Sequence, residues 1–234
     1  TIPSLDQFNH MIVYLPNYKG GTFFDPTQKE FGLSALPPLY LEGQTAVLVK
    51  EDGHKILQIK PPEKNLSKII VDREVTLEGD KAVIREMIRW TDYHAAFVRG
   101  YFRRHSARPL GESVQELMGS ELGGLTLKSA KLKGLEDLDE PLQLDIALEI
   151  KVDAPSEQSQ AIRIPAYWEK QYIGYQSMEK RRTPFQIEYP IQMKRKLRVR
   201  GPRNVVMSFS GKNRSVSNDF FRYDAKLQSE KGVL

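Results

Sequence analysis

The sequence predicts a mainly β fold of the α+β class, built as one or two antiparallel, sandwich-like modules with a helical hairpin. The dominant hydrophobic period is two residues, which is typical of strands that are buried on one face. Residues 142–152 show it most clearly, since apolar Leu144, Ile146 and Leu148 alternate with polar neighbours. Turn signals with glycine separate such runs, and a single region between them has helical spacing.

Each predicted strand is an alternating run bounded by a turn signal. The runs are residues 46–50, 55–60, 69–77, 82–90, 126–132, 142–152, 185–193 and 205–209. The turns contain Gly53, Gly79, Gly201 and Gly211, and glycine adopts the backbone angles of tight turns without steric cost. One face of each strand is apolar and the other polar, as expected of antiparallel sheets with one face in water.

The helical region lies between two groups of strands. Thr91 or Asp92 is a suitable N-cap for a helix over residues 93–105, whose apolar residues recur at helical spacing. A second helix is predicted over residues 110–122, and the glycines at 123–124 end it. The arginines at the end of the first helix suit the helix dipole and imply no partner.

Composition places the chain among ordinary globular proteins. It has 234 residues, of which 40% are hydrophobic and 28% charged, and its formal net charge is +5. No run approaches the roughly 20 apolar residues that span a bilayer, so no membrane span is predicted. The absence of cysteine excludes disulfides, thiolate metal sites and a thiol nucleophile within these residues.

Two breaks in the pattern predict the domain organisation. Residues 1–60 form a first unit and residues 61–234 a β-rich second unit, divided at the proline-containing segment 60–66. A loop-rich stretch at 153–160 is a candidate division of the second unit into two modules. The absence of a signal peptide fits either a cytoplasmic protein or a trimmed piece of an exported one. The chain begins without methionine and its last residues resemble the start of a strand, so we expect it to be a piece of a longer protein.

The front of the chain holds the candidate catalytic residues. A strand after His10, a turn and a second strand ending at Asp25 would bring this imidazole and carboxylate together. Such a pair serves nucleophilic catalysis, because the histidine takes a proton from a thiol or hydroxyl while the carboxylate orients the ring. The alternatives are a strand-end histidine bonded to the backbone and an aspartate that starts the turn at Pro26.

These motifs resemble the second half of a bacterial transglutaminase-like catalytic core. The resemblance rests on Asn9-His10, on the hydrophobic strand that follows, and on Asp25-Pro26-Thr27 after two aromatic residues. It implies a papain-like fold and a Cys-His-Asp triad, in which His10 is the general base and acid and Asp25 its orienting partner. Asn9 is a weaker candidate for a supporting hydrogen bond. Further segments resemble the β-rich domain that accompanies such cores: Phe31-Gly32, Leu36-Pro37-Pro38, residues 43–49 and residues 182–185.

The resemblance implies acyl transfer or amide hydrolysis through a thioester, with no cofactor and with a protein or peptide as substrate. The cysteine would lie in the missing N-terminal part of the core, or would be replaced there in an inactive homologue. In both cases the chain alone is expected to be inactive. The alternative is a non-catalytic β-sandwich module that binds partner proteins. The resemblance further implies the periplasm or cell envelope, with the cytoplasm as the alternative. Hairpin strands stripped of their covering helix should pair onto the β domain or promote self-association.

Other chemistry-bearing residues have simpler interpretations. His54 lies in a glycine turn and is expected to be a solvated hairpin residue. His94 and His105 have no acidic partner at ligand spacing, so no metal site is predicted. Both tryptophans and five of the ten tyrosines are expected to pack in or around the core: Trp90, Trp168, Tyr93, Tyr101, Tyr167, Tyr172 and Tyr175. Basic residues at 194, 196, 198 and 200 share one face of a strand, where a solvated edge is favoured over anion binding. Nucleic acid is accordingly not an expected partner.

Overall fold

In the computed structural model, the described residues are 10–18, 20–32, 41–60, 67–118, 124–152, 192–201, 213–217 and 222–226. Within them, eleven strands and two helices follow one another along the chain: β1 (Val13–Leu15), β2 (Thr22–Phe24), β3 (Thr45–Lys50), β4 (Gly53–Gln58), β5 (Lys68–Glu78), β6 (Lys81–Trp90), α1 (Asp92–Arg104), α2 (Leu110–Met118), β7 (Leu125–Lys133), β8 (Leu142–Lys151), β9 (Gln192–Arg200), β10 (Arg214–Ser217) and β11 (Arg222–Ala225). The prediction of a mainly β, α+β fold with a helical hairpin between strand groups is confirmed.

The predicted strands agree with the observed ones wherever the chain is described. Strands β3 to β8 coincide with the predicted runs to within two residues at nearly every end. The predicted strand at 205–209, most of the one at 185–193 and the proposed division at 153–160 lie outside the described residues. Part of the predicted boundary, residues 61–66, also lies outside them.

A five-stranded sheet is the centre of the molecule, with strands in the order β7-β8-β6-β5-β9. The neighbours β7–β8, β8–β6 and β6–β5 are antiparallel, whereas β9 runs parallel to β5. The sheet is therefore mixed, because a long connection returns the chain to the β5 edge. Gly79, at a φ of +64°, closes the tight β5–β6 turn, where a residue with a Cβ would be strained.

Strand alternation divides this sheet into an inner and an outer face. Inner residues such as Val75, Ile84 and Leu148 are fully buried and pack with Phe102 and Val114 of the two helices. Outer residues at the intervening positions are polar or charged and at least partly exposed in most cases. The apolar period read from the sequence thus corresponds to the face that the helical hairpin covers.

One buried ion pair interrupts the apolar inner face. Arg73 and Glu86 are cross-strand partners on β5 and β6, and the Arg73 Nε donates to Glu86 Oε2. Both side chains are fully buried. Because a register slip would set either charge against an apolar neighbour, the pair also favours this β5–β6 register.

The helical hairpin is fixed to the sheet at its first turn. Thr91 is the N-cap of α1, as predicted, but its hydroxyl accepts the Lys68 amide at 2.9 Å and does not cap the helix. The Tyr93 amide instead donates to the Ser67 hydroxyl at 2.9 Å, so the cap comes from the residue that precedes β5. Among the described residues, no helix is long and apolar enough to cross a membrane.

Candidate functional site

The β1–β2 hairpin brings the two predicted catalytic residues together. Its antiparallel register joins Val13 with Phe24 and Leu15 with Thr22. If the same pairing is continued by one residue beyond Val13 and Phe24, residue 12 lies opposite Asp25. His10 is two residues before residue 12, so its side chain lies on the same side of the hairpin as that of residue 12. Two glycines with positive φ, at positions 20 and 21, form the turn.

His10 and Asp25 form a direct hydrogen bond. The distance between His10 Nε2 and Asp25 Oδ2 is 2.9 Å. The Asp25 side chain is 1% exposed and that of His10 is 31% exposed. The carboxylate is therefore the buried, fixed member of the pair, while the imidazole remains accessible to a reacting group.

Thr27 holds the Asp25 carboxylate in place. Its backbone amide and its hydroxyl both donate to Asp25 Oδ1, at 2.9 and 2.7 Å. This is the turn expected of an aspartate two residues before a donor, so the turn interpretation of Asp25 and the orienting one hold together. With Oδ1 fixed by Thr27, Oδ2 is directed to His10.

The hydrogen bond determines which ring nitrogen can act as a base. A carboxylate that accepts from Nε2–H favours the tautomer in which Nδ1 carries the lone pair. Proton exchange with a nucleophile would then take place at Nδ1, and the Asp25 charge would stabilise the imidazolium that forms. The geometry meets the requirement of a base whose third partner orients it.

The segment that follows the pair is attached to the five-stranded unit. The Gln28 amide donates to the Asp25 carbonyl at 3.1 Å, and the Phe31 amide to the Gln28 carbonyl at 3.2 Å. The Phe31 ring then packs edge-on against Tyr93 of α1, with centroids 5.9 Å apart. Burial and the hydrogen bond to Glu42 raise the pKa of the Tyr93 hydroxyl, which stays protonated and donates at 2.7 Å.

Two arginines of α1 also bind the segment after the pair and the loop before β8. Arg103 donates from Nη1 to the Lys29 carbonyl at 3.0 Å and from Nη2 to the Leu135 carbonyl at 3.1 Å. Arg99 is buried and donates to backbone carbonyls of the loop before β8, among them those of Gly134 and Asp137. Arg103 lies in the last turn of α1, where a cation suits the helix dipole as predicted. The sequence analysis predicted no partner for these arginines, whereas Arg99 and Arg103 also supply donors to loop carbonyls.

Gly32 passes close to the same loop. A Cβ at this position would lie 2.8 Å from Asp139 Oδ1 and 3.0 Å from the Leu138 carbonyl, so a larger residue would displace the segment. The junction formed by Phe31, Gly32 and Arg103 thus links the His10–Asp25 pair to α1. We refer to it as the α1 junction.

The other residues considered in the sequence analysis either lie apart from the His10–Asp25 pair or are not among the described residues. Asn9 is not among the described residues. His54 is exposed on β4, as predicted. His94 is buried on α1, and burial lowers its pKa to about 4. In the described parts of the chain, no three histidine, aspartate or glutamate side chains are grouped to hold a metal ion.

The hairpin also exposes apolar side chains. Met11 is 88% exposed, and Val13 on the same side of β1 is exposed as well. Among the described strands, β1 and β2 pair only with each other, so they do not extend the larger sheet. Of the two outcomes expected for these strands, pairing onto the β domain is not seen, while the apolar exposure that would promote association is present.

The sequence analysis included Thr27 in the motif but did not predict its hydrogen bonds to Asp25, and it did not predict the α1 junction. The Thr27 bonds could have been predicted, because a threonine two residues after an aspartate is a common backbone-turn donor. The junction had no local signal, since its partners are separated by some 60 to 110 positions along the chain. No protein-family model, curated protein or solved structure matches this chain.

Proposed function

We propose that this chain supplies the base and its orienting carboxylate to a cysteine-dependent acyl-transfer or amide-hydrolysis site of the transglutaminase-like type. The observation that carries the proposal is the 2.9 Å hydrogen bond from His10 to a buried Asp25. The two Thr27 bonds, which also form the turn at Pro26, support the proposal because they hold the carboxylate in position to orient the His10 ring. The chain has no cysteine, so the thiol would come from an upstream part of the parent protein.

The proposed reaction uses the pair in two steps. His10 takes the thiol proton, and the thiolate attacks the substrate amide carbon to form a tetrahedral oxyanion. Collapse to the thioester breaks the carbon–nitrogen bond, and the His10 imidazolium returns its proton to the leaving amine. An amine or water activated by His10 then attacks the thioester, which releases the product and the thiol. Asp25 stays ionised throughout and stabilises the imidazolium.

The second candidate is a non-catalytic module that binds partner proteins. Its specific support is the β3–β4 hairpin, where Val49 is 79% exposed and Ile56 67% exposed. Register sets Val47 opposite Ile56, so Val49 and Ile56 lie on one side of this hairpin. Contiguous exposed apolar side chains are typical of contact surfaces. Location in the cell envelope belongs to the first candidate and rests on the family resemblance alone.

The test uses the full-length parent protein and a thiol-reactive activity probe. We expect one cysteine to be labelled, with labelling about 100-fold slower in His10→Ala, because a general base contributes on the order of a hundredfold or more. Asp25→Asn should slow it as well, since the amide cannot stabilise the imidazolium. His54→Ala, at an exposed histidine of the same chain, is the matched control and should label normally.

Each result assigns the site. Labelling at a single cysteine that depends on both His10 and Asp25 supports the triad. If no cysteine is labelled, or if His10→Ala reacts as fast as His54→Ala, the pair is not catalytic. The second candidate, a module that binds partner proteins through the exposed β3–β4 hairpin, would then be favoured.

A further inference from the structure

The outer face of the five-stranded sheet is strongly basic. At the positions that strand register assigns to this face, eleven are lysine or arginine and five are aspartate or glutamate. The whole chain has a formal net charge of only +5, so positive charge is concentrated here. The basic residues predicted to share one face of a strand, Lys194 to Arg200, form its β9 edge.

Nearly all the carboxylates of this face are already paired. Asp72 and Glu74 of β5 bind Arg198 and Arg200 of β9, with nitrogen–oxygen distances of 2.7 and 3.1 Å. On β8, the carboxylates of Asp145 and Glu149 bind three lysines at 2.6 to 3.3 Å: Lys133, Lys81 and Lys128. The pairing shields the acidic side chains. Burial raises the pKa of the Asp145 carboxyl, but the bonds from Lys133 and Gln143 outweigh it and lower the pKa, and Lys128 and Lys81 lower that of Glu149.

The remaining basic side chains have no such partner. Among the described residues, Arg85, Lys131, Lys194 and Lys196 are exposed and have no carboxylate within 4 Å. Arg85 lies on the central strand β6, and the three lysines lie on the edge strands β7 and β9. The face therefore presents cations across its full width.

A depression of about 650 Å³ runs across this face. It is lined from all five strands, with Arg85 and Lys131 among the charged residues and Met87 and Ala147 as apolar ones. Register sets Lys131, Asp145, Met87, Asp72 and Lys196 side by side in one row. Five strands spaced about 4.8 Å apart make this row roughly 19 Å long, enough for a five- or six-residue extended segment.

We propose that this outer face binds an extended acidic peptide segment that also contains an apolar residue. Carboxylates of the segment would pair with Arg85 and Lys131, and a guanidinium such as that of Arg85 can bind a carboxylate with two parallel bonds. The apolar residue would contact Met87 between the cations, and Met is well suited to variable apolar partners. The surface lies apart from the His10–Asp25 pair, and the inference does not depend on the proposed reaction.

Two features favour a peptide over a nucleic acid. None of the outer-face positions in the described strands is aromatic, so nucleic-acid bases would have no stacking partner. The paired carboxylates of Asp72, Glu74 and Asp145 also lie within the depression, where they would repel a closely charged phosphate backbone. A peptide with spaced carboxylates avoids both problems.

The experiment is a fluorescence-anisotropy titration with a labelled peptide of alternating glutamate and serine and one central leucine. We expect the charge reversal Arg85→Glu/Lys131→Glu to raise the Kd at least about tenfold, and added salt to weaken binding to the original chain. The matched control is Lys50→Glu/Lys55→Glu, which changes the net charge equally on the exposed β3–β4 hairpin. The milder Arg85→Gln/Lys131→Gln pair repeats the test with less risk to folding.

Three results would overturn the inference. The first is equal binding of a peptide with glutamine in place of glutamate, which would remove charge recognition. The second is an equal loss of affinity in the control pair, because net charge and not this face would then be responsible. The third is tighter binding of an oligothymidylate of the same length, which would assign the face to nucleic acid.

Discussion

The five-stranded sheet and the β1–β2 hairpin are held in shape by different means. Strands of the sheet are nine to eleven residues long and share a continuous apolar core with both helices. Strands of the hairpin have three residues each, and their order relies on a turn, the Asp25–Thr27 bonds and the α1 junction. An isolated two-stranded hairpin is marginal in water, so the hairpin depends on its attachment.

Two histidines show the same difference between the packed sheet and the attached hairpin. His94 is buried against the sheet, and burial lowers its pKa to about 4. His10 lies on the hairpin with an accessible ring and a buried carboxylate partner. A histidine that must stay neutral serves packing, while one that is oriented and reachable is suited to proton transfer. Under the proposed function, the reactive group lies on a small, attached element, and the core can be optimised for stability.

The largest effect is expected from breaking the buried ion pair of the sheet. Arg73→Met alone or Glu86→Leu alone should lower the free energy of unfolding by about 3–5 kcal/mol, because each leaves a buried charge uncompensated. The double variant should recover most of the loss. Urea unfolding followed by circular dichroism measures all three.

The control for this experiment is an ion pair on the outer face. Lys81 binds Glu149 at 3.3 Å with both side chains partly exposed, so Lys81→Met should cost less than about 1 kcal/mol. Equal losses in Lys81→Met and Arg73→Met would contradict the view that burial makes the inner pair indispensable.

The second effect is a pH dependence that comes from His94. Between its unfolded pKa of about 6.5 and its folded pKa of about 4, the unfolded chain binds a proton that the folded chain does not. The free energy of unfolding should therefore be at its full value above pH 6.5 and should fall by roughly 3 kcal/mol as the pH approaches 4. His94→Gln should remove most of this slope in urea unfolding at successive pH values.

Two comparisons isolate the contribution of His94. His54→Gln, at an exposed histidine, should keep the slope of the original chain. The lysine-paired carboxylates Asp145 and Glu149 have a lowered pKa, so their stabilisation is lost only below their unfolded values near 4. A slope between pH 6.5 and 4.5 that survives in His94→Gln would show that another group titrates there.

The sheet was predictable from sequence because its signal is local. Alternation along β5, β6 and β8 identifies each strand and its inner face without knowledge of the partners. The parallel position of β9 was not predictable, since it depends on pairing with a strand some 120 residues earlier. Nor did the pattern show that Arg73 and Glu86, two charges at inner positions, would satisfy each other.

The candidate site also has one part that the sequence predicts and one part that it does not. A strand, a turn and a strand suffice to predict that His10 meets Asp25, because antiparallel pairing fixes which ends are close. The α1 junction could not be predicted, because nothing near Lys29 or Gly32 indicates which helix lies against them. Local periodicity thus predicts individual strands, helices and simple hairpins. It does not predict which distant segments pack against each other in the folded chain.

The smallest loss of stability is expected from a variant that tests whether the hairpin depends on the α1 junction. Arg103→Ala removes two hydrogen bonds to backbone carbonyls and an exposed ion pair with Glu136, and should cost about 1.5 kcal/mol overall. Amide exchange at residues 22–28 should accelerate more than exchange in β6, because the hairpin loses its attachment while the core remains. Arg104→Ala, the next residue of α1 and exposed, removes the same charge and serves as the control. If both variants exchange alike at residues 22–28, the hairpin is ordered by its own turn and by Thr27, and the two β structures are more independent than their contacts indicate.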